Sequence, residues 1–339
     1  MMKAAVFAGN GVIEVRDVPI PSVESSDGVV LKVAANAICG TDLHALDVPP
    51  TVIYRPGVII GHEFSGIVVD AGPNSGVSVG DRVGILPNVT CGKCVFCGRG
   101  LPNLCVFMEG FGSERVEGGA AEYAWAPGRT VFKLPDTLSM ELASIAEPLS
   151  CVLNGTMRAG WQADSDVVVL GGGPIGLMFA IVARSAAVRS VTVVEPASGR
   201  AEAAEEFGFA VVDPRDRDQV ARLCEKGASH VVDTVGTQIA EAIAISRPRA
   251  KILIFGLDDT RQPSFPQADA VRKEVSIEGI FLARNTFRLA LEMLARSELG
   301  FERLITHRYD LGDFTQAVDQ LRNGFAIKAL VIPNSLETA

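Results

Sequence analysis

Val167, Val168, Val169 and Leu170 run directly into Gly171, Gly172, Gly173, Pro174, Ile175 and Gly176, and this junction limits the possible folds more than any other stretch of the chain. A short unbroken apolar run is the pattern of a strand covered on both faces, as in a parallel sheet. Gly171, Gly173 and Gly176 match the GxGxxG spacing, in which glycines allow a tight turn, close approach of a pyrophosphate and packing of a helix on the strand. The spacing alone is weak. Here it follows a strand, opens an apolar helix over 177–182 and is succeeded by a second strand, 191–194, that ends in Glu195. A carboxylate about 20 residues beyond the glycines is where the ribose hydroxyls of NAD are held. The alternation continues with strand 210–212, a helix around 220–225, strand 230–233, a helix around 239–245, and strands at 251–255 and 275–280. That makes six strands, enough for a doubly wound α/β sheet built from two mononucleotide halves.

The chain before this junction follows a different pattern. Residues 3–20, 28–35, 67–69, 82–85 and 118–134 are rich in β-formers and are punctuated by Pro and Gly, which indicates small-barrel or irregular β structure. At 339 residues the chain suits two domains. The expected division is a β-rich domain over 1–150, a dinucleotide domain over 151–284, and a return to the first domain over 285–339. Ligands favour the cleft between such domains. The net charge of -9 argues against nucleic acid as a partner. No apolar run approaches the roughly 18 to 20 residues that cross a bilayer, and no signal peptide is visible at the start, so a cytoplasmic protein with no membrane partner is expected.

Four of the seven cysteines crowd into one loop: Cys91, Cys94, Cys97 and Cys105. Two CxxC steps and a fourth thiolate can close a tetrahedral site with no open position, the form of a structural zinc. The bacterial iron–sulfur run has a shorter last gap and a proline after its fourth cysteine. Here seven residues separate Cys97 from Cys105, and Val106 follows.

A second group of metal-ligand types spans 39–63. Cys39, Thr41, Asp42 and His44 open the stretch, and Gly61, His62 and Glu63 close it. A thiolate, an imidazole and one carboxylate would hold a catalytic zinc with a position left for water or substrate. Taken singly, Cys39 could be a small buried hydrophobe and His62 an ordinary satisfied histidine. Glu147 precedes Pro148, a residue that bends or starts a helix, and its carboxylate is either exposed or turned into a cleft.

With these motifs in this order, the chain resembles the zinc-containing medium-chain dehydrogenases over nearly its whole length, and within them the polyol (sorbitol-like) and threonine dehydrogenase branches. The resemblance implies a GroES-like catalytic domain beside a Rossmann domain, two zinc ions per chain and NAD. It implies that Cys39 and His62 bind the catalytic zinc, with Glu63 or Glu147 as the third ligand, and that Cys91, Cys94, Cys97 and Cys105 bind the structural one. Asp42 would orient His62, and Thr41 and His44 would carry the alcohol's proton to solvent. The loop Gly171, Gly173, Pro174, Ile175 and Gly176 would hold the cofactor with Glu195 on its ribose, Arg200 close enough to bear on the choice between NAD and NADP, and Lys328 on its phosphates. Alcohol dehydrogenases proper place a cysteine near position 147; Glu147 there, with Cys151 four residues on, favours the polyol-like branches. The implied substrate is a small alcohol: a polyol, sugar or cyclitol, with L-threonine or another amino alcohol as the alternative, suggested by Gly279, Ile280, Phe281 and Arg284 and by Ile305, Thr306, His307 and Arg308. A non-catalytic structural protein of this fold would be expected to lose Cys39 or His62. A homo-oligomer, dimer or tetramer, is expected. Tyr54, Phe107, Glu109 and Phe111 lie in loops that could line a pocket, though no spacing places them there.

Overall fold

The computed structural model of the chain describes residues 1–113 and 115–334. The chain divides into two units, Met1–Ser150 with Ala283–Ala339, and Cys151–Leu282.

In the second unit all six expected strands lie in one parallel sheet. Their spatial order is Ala210–Val212, Ser190–Val194, Asp166–Leu170, Ala228–Asp233, Ser246–Ile254, Ser276–Gly279. The sheet therefore starts at its centre and winds outward both ways, the Rossmann order. All five residues of the central strand are buried. Val168 and Leu170 join a cluster with Leu223, Val231, Ile243 and Ile252, while Val169 faces the helix Pro174–Ser185. A Cβ on Gly176 would lie 3.3 Å from Val169 and only 1.9 Å from the Gly171 carbonyl oxygen, so that position of the loop requires glycine. The fifth strand starts earlier than its hydrophobicity suggests. Ser246 pairs with Ala228, and a register shift then carries the ladder past the polar 247–249 to Lys251 opposite His230.

The first unit is built on the strand Gly28–Ala37. Glu63–Ala71 pairs along one edge; the other edge is shared by Tyr123–Pro127 and Lys328–Ile332, all antiparallel. Arg82–Ile85, Val131–Lys133 and Ile305–Asp310 extend this sheet to seven strands. Met2–Gly9 and Val12–Val18 form a hairpin closed by Asn10 and Gly11, both at positive φ, which is the backbone a two-residue hairpin turn demands. Helix Phe314–Arg322 and strand Lys328–Ile332 bring the end of the chain back into this unit. Leu311, Phe314, Val318 and Val331 pack with Phe7, Ile38, Tyr54 and Ile60 in one cluster. Among the described residues, no helix is long and apolar enough to cross a membrane.

Asp166 opens the central strand of the second unit with a carboxylate only 5% exposed. Arg189 and Ser190 hydrogen-bond it, and Lys226 lies 3.4 Å away. The Arg189 hydrogen bonds outweigh the cost of burial and hold this carboxyl well below the usual range. Its contribution to stability is therefore complete above the unfolded value near 4 and lost as pH falls below it. Asp166→Asn should cost about 1–2 kcal/mol at pH 7, a figure kept small because Arg189 is exposed and screened. In urea unfolding the deficit should shrink between pH 4 and pH 2, and a deficit independent of pH would contradict this.

Candidate active site

Cys39 lies just beyond the strand Gly28–Ala37 and caps the short helix Gly40–Ala45. The Asp42 carboxylate turns back on this cap. Its Oδ2 accepts the Cys39 N–H at 2.9 Å, while its Oδ1 accepts the Tyr54 hydroxyl at 2.8 Å and lies 3.5 Å from His62 Nδ1. One buried carboxylate thus ties both expected metal ligands together and leaves His62 Nε2 as the ring atom for a metal. Burial alone would raise the Asp42 value; His62, the Cys39 amide and Tyr54 overcome it and hold the carboxyl low. Burial likewise opposes protonation of His62, but Asp42 and the Cys39 thiol push its value well above that of free imidazole. Gly61 brings His62 into place at φ +95°, and a Cβ there would lie 2.3 Å from Asn36 Oδ1.

Ligand atoms of Cys39, His62 and Glu63 all lie within 4.8 Å of one another. Zinc bonds of 2.0–2.3 Å set tetrahedral ligand atoms about 3.3–3.8 Å apart, so these three side chains fit one ion after a small contraction. Glu63 is fully buried and carries its own counter-ion: Lys328 Nζ lies 2.7 Å from Oε1 and 2.6 Å from Oε2. Lys328, the residue expected on the cofactor's phosphates, is thus engaged by Glu63 in this structure. Lys328 is 3% exposed, and a buried ammonium requires a buried anion. Burial would depress its value, but Glu63, Cys39 and Glu147 together raise it. Glu147 stands outside the cluster of three, 7% exposed in the first turn of the helix Ala146–Ala159 that Pro148 helps to start.

The other expected residues of this unit have distinct settings. The Thr41 hydroxyl is 3.5 Å from Cys39 Sγ. His44 is half exposed, with Nδ1 3.5 Å from Asp47. Of the loop residues that could have lined a pocket, Tyr54 and Phe111 are buried, Phe111 against Phe64, while Phe107 is exposed and Glu109 pairs with Arg115. Nothing in the residue order signals the Tyr54–Asp42 bond, because a loop tyrosine does not announce its acceptor. Arg284 donates to the Gly100 carbonyl and Arg308 pairs with Glu141.

The four-cysteine loop gathers Cys91, Cys94, Cys97 and Cys105, with all four sulfurs within 4.8 Å. Cys105 Sγ lies 3.5 Å from that of Cys91 and 3.9 Å from that of Cys94. A tetrahedral zinc with 2.3 Å bonds needs about 3.8 Å, so the thiolates fit. Backbone amides, chiefly that of Cys97, hold the Cys94 thiol down to about 6, whereas burial pushes Cys97 up to about 12.

In the second unit Glu195 ends its strand only 5% exposed, accepting Gly172 N–H at 2.7 Å and Ala197 N–H at 2.8 Å. Each oxygen keeps a lone pair for a further donor. Gly173 caps the helix Pro174–Ser185, with open space where a Cβ would stand and Pro174 at the first helical position. A helix start of this kind offers amides to a phosphate. Ile175 is half buried there, and Arg200 is half buried in the helix Ser198–Glu206. These residues fit a dinucleotide.

Two family models match the chain: the alcohol dehydrogenase GroES-like domain over residues 25–136 and the zinc-binding dehydrogenase domain over residues 174–296. The chain is 31% identical over 347 residues to a sorbitol dehydrogenase of Bacillus subtilis (strain 168), covering 98% of each. It is 31% identical over 344 residues to an L-idonate 5-dehydrogenase of Vitis vinifera, covering 96% of this chain and 93% of the relative. A solved zinc-binding dehydrogenase of Sinorhizobium meliloti 1021, bound to NADP, superposes with a TM-score of 0.91 at 32% identity over 98% of this chain and 99% of its own.

Removing Lys328 while keeping Glu63 would strand a buried carboxylate. Lys328→Met should cost about 3–5 kcal/mol in thermal or urea unfolding, and the double variant Glu63→Gln with Lys328→Met should be more stable than Lys328→Met alone. Additive losses would show that the two charges do not depend on one another.

Proposed function

Because the chain belongs to the zinc-containing medium-chain dehydrogenases, in their polyol branch, we propose that it uses two zinc ions and NAD to oxidise a secondary alcohol of a polyol, sugar or cyclitol reversibly to the ketone. The observation that carries this reading is the convergence of Cys39, His62 and Glu63 on one point, with Asp42 and Lys328 behind them. When bound, the zinc acts as a Lewis acid that makes the substrate hydroxyl acidic, and NAD takes the hydride.

The chain's own residues perform the remaining work. Cys39 and His62 hold the metal, with Glu63 as the third ligand of the cluster and Glu147 as the carboxylate that can replace it. Asp42 fixes the tautomer and angle of His62. Lys328, buried against Glu63, would compensate that carboxylate's charge whether or not it ligates the metal. Thr41 can accept and donate a proton through one hydroxyl, and His44, an imidazole at the surface, can deliver that proton to solvent. Cys91, Cys94, Cys97 and Cys105 hold the second zinc as a closed site that stabilises the loop.

Glu195 supports NAD over NADP. Its two oxygens can each take a ribose hydroxyl, whereas a 2′-phosphate would meet a buried like charge. Arg200 is the residue that could reverse this preference, and the NADP bound to the Sinorhizobium meliloti relative makes the comparison worth measuring. Use of L-threonine is the second reading. It is weakened because Arg308 is paired with Glu141 and Arg284 is held on Gly100, where neither is free of a partner when a substrate carboxylate arrives. The outer strand Ser276–Gly279 leaves Ile277 exposed beside Val271, which supports assembly as a homo-oligomer, dimer or tetramer.

A panel of polyols, sugars, cyclitols and L-threonine, followed by absorbance of the reduced cofactor, tests the assignment. Turnover of at least one polyol with kcat/KM higher for NAD than for NADP is expected; turnover of threonine alone would overturn it. The proton route has its own test. His44→Asn should slow turnover roughly 10-fold near neutral pH, with partial rescue by small buffer bases and little change in NAD affinity. An unchanged rate would make His44 a bystander.

A further inference from the structure

The Tyr54 ring is sealed into the hydrophobic cluster of the first unit. It meets Phe7 edge to face at 6.1 Å and shares the cluster with Val58, Ile60 and Phe314. For packing alone a phenylalanine would serve, since the ring volume is what the cluster uses. The hydroxyl is a different matter, because a buried O–H without an acceptor is costly. Here it has one acceptor, Asp42 Oδ1, at 2.8 Å.

That oxygen faces His62, and the other oxygen of Asp42 holds the Cys39 amide. The Cys39 backbone amide anchors only the other oxygen, Oδ2, and on Oδ1 the second partner, His62, is itself an expected metal ligand that cannot hold the carboxylate independently of the metal. Tyr54 can. Its ring lies edge to face on Phe7 of the strand Met2–Gly9 and shares one buried cluster with Leu311 and Phe314 of the returning segment, and its hydroxyl transmits that rigidity to Asp42. We propose that Tyr54 is a positioning residue for the catalytic metal: it locks the rotation of the Asp42 carboxylate, and through it the His62 ring, in the orientation that binds zinc. Without the hydroxyl, Asp42 Oδ1 has only the imidazole it is meant to orient, and the His62 ring gains freedom to turn with it.

This rests on the zinc reading of Cys39 and His62, and the test separates the two. Zinc-loaded protein is challenged with a chromogenic chelator, and a Cys39→Ser variant supplies the release trace of the four-thiolate metal alone. Wild type should show a second, separate release phase; if it holds only the four-thiolate metal, the zinc reading itself fails. Given two phases, Tyr54→Phe should release the Cys39–His62 metal roughly 10-fold faster, at the lower end of what loss of a supporting partner costs, with the four-thiolate phase and the melting temperature unchanged. Phe7→Leu, which loosens the same cluster and leaves the hydroxyl in place, should lower the melting temperature without accelerating that phase. Equal release from Tyr54→Phe and wild type would overturn the proposal. So would acceleration of both phases in Tyr54→Phe, or the same selective release in Phe7→Leu, since either would reduce Tyr54 to a packing residue.

Discussion

A lysine ammonium is not stable alone in an apolar interior, and Lys328 lies 3% exposed inside the first unit. Its partner is fixed by the sheet. Ala37 is opposite Leu330 on one neighbouring strand and opposite Glu63 on the other, so the three strands bring Lys328 and Glu63 to the same end, the end at which Cys39 emerges. The return of the chain after residue 283 is thus a requirement of charge as well as of packing. Glu63, Cys39 and Glu147 all act on Lys328 to favour its charged form, and a buried site lined by acidic groups of this kind favours a cation.

Asp42 has the same role in the layer behind the ligands. By accepting from Cys39, Tyr54 and His62 it converts three separate residues into one rigid construction. The carboxylate stays ionised in a buried setting because each of its oxygens has a donor. The site therefore consists of two buried pairs, Lys328 with Glu63 and His62 with Asp42, arranged around the point on which Cys39, His62 and Glu63 converge.

The features legible in the sequence were those enforced locally. The glycine loop had to be glycine because backbone oxygen occupies the place of a side chain at Gly176, and six strands could be counted from their apolar runs. The four-cysteine loop was legible because metal chemistry restricts spacing. The pairing of Lys328 with Glu63 was not legible for a physical reason: the two are 265 residues apart in sequence, and a long side chain on a strand carries no sign of which charge it will meet. The place of Phe111 was left open by the sequence, because an aromatic residue serves a pocket wall and a core equally well; it packs on Phe64. The early start of the strand at Ser246 was hidden by polar residues at a register shift, where hydrophobic periodicity fails.

The central claim, that two metal sites of different character share one unit of this chain, is tested most directly by anomalous X-ray scattering from crystals of the zinc-loaded protein, recorded on both sides of the zinc edge. Two zinc peaks are predicted per chain, one enclosed by the sulfurs of Cys91, Cys94, Cys97 and Cys105, and one bonded to Cys39 Sγ and His62 Nε2 with a carboxylate oxygen. A single peak at the four sulfurs, with Cys39 and His62 metal-free in protein that turns over substrate, would contradict the account.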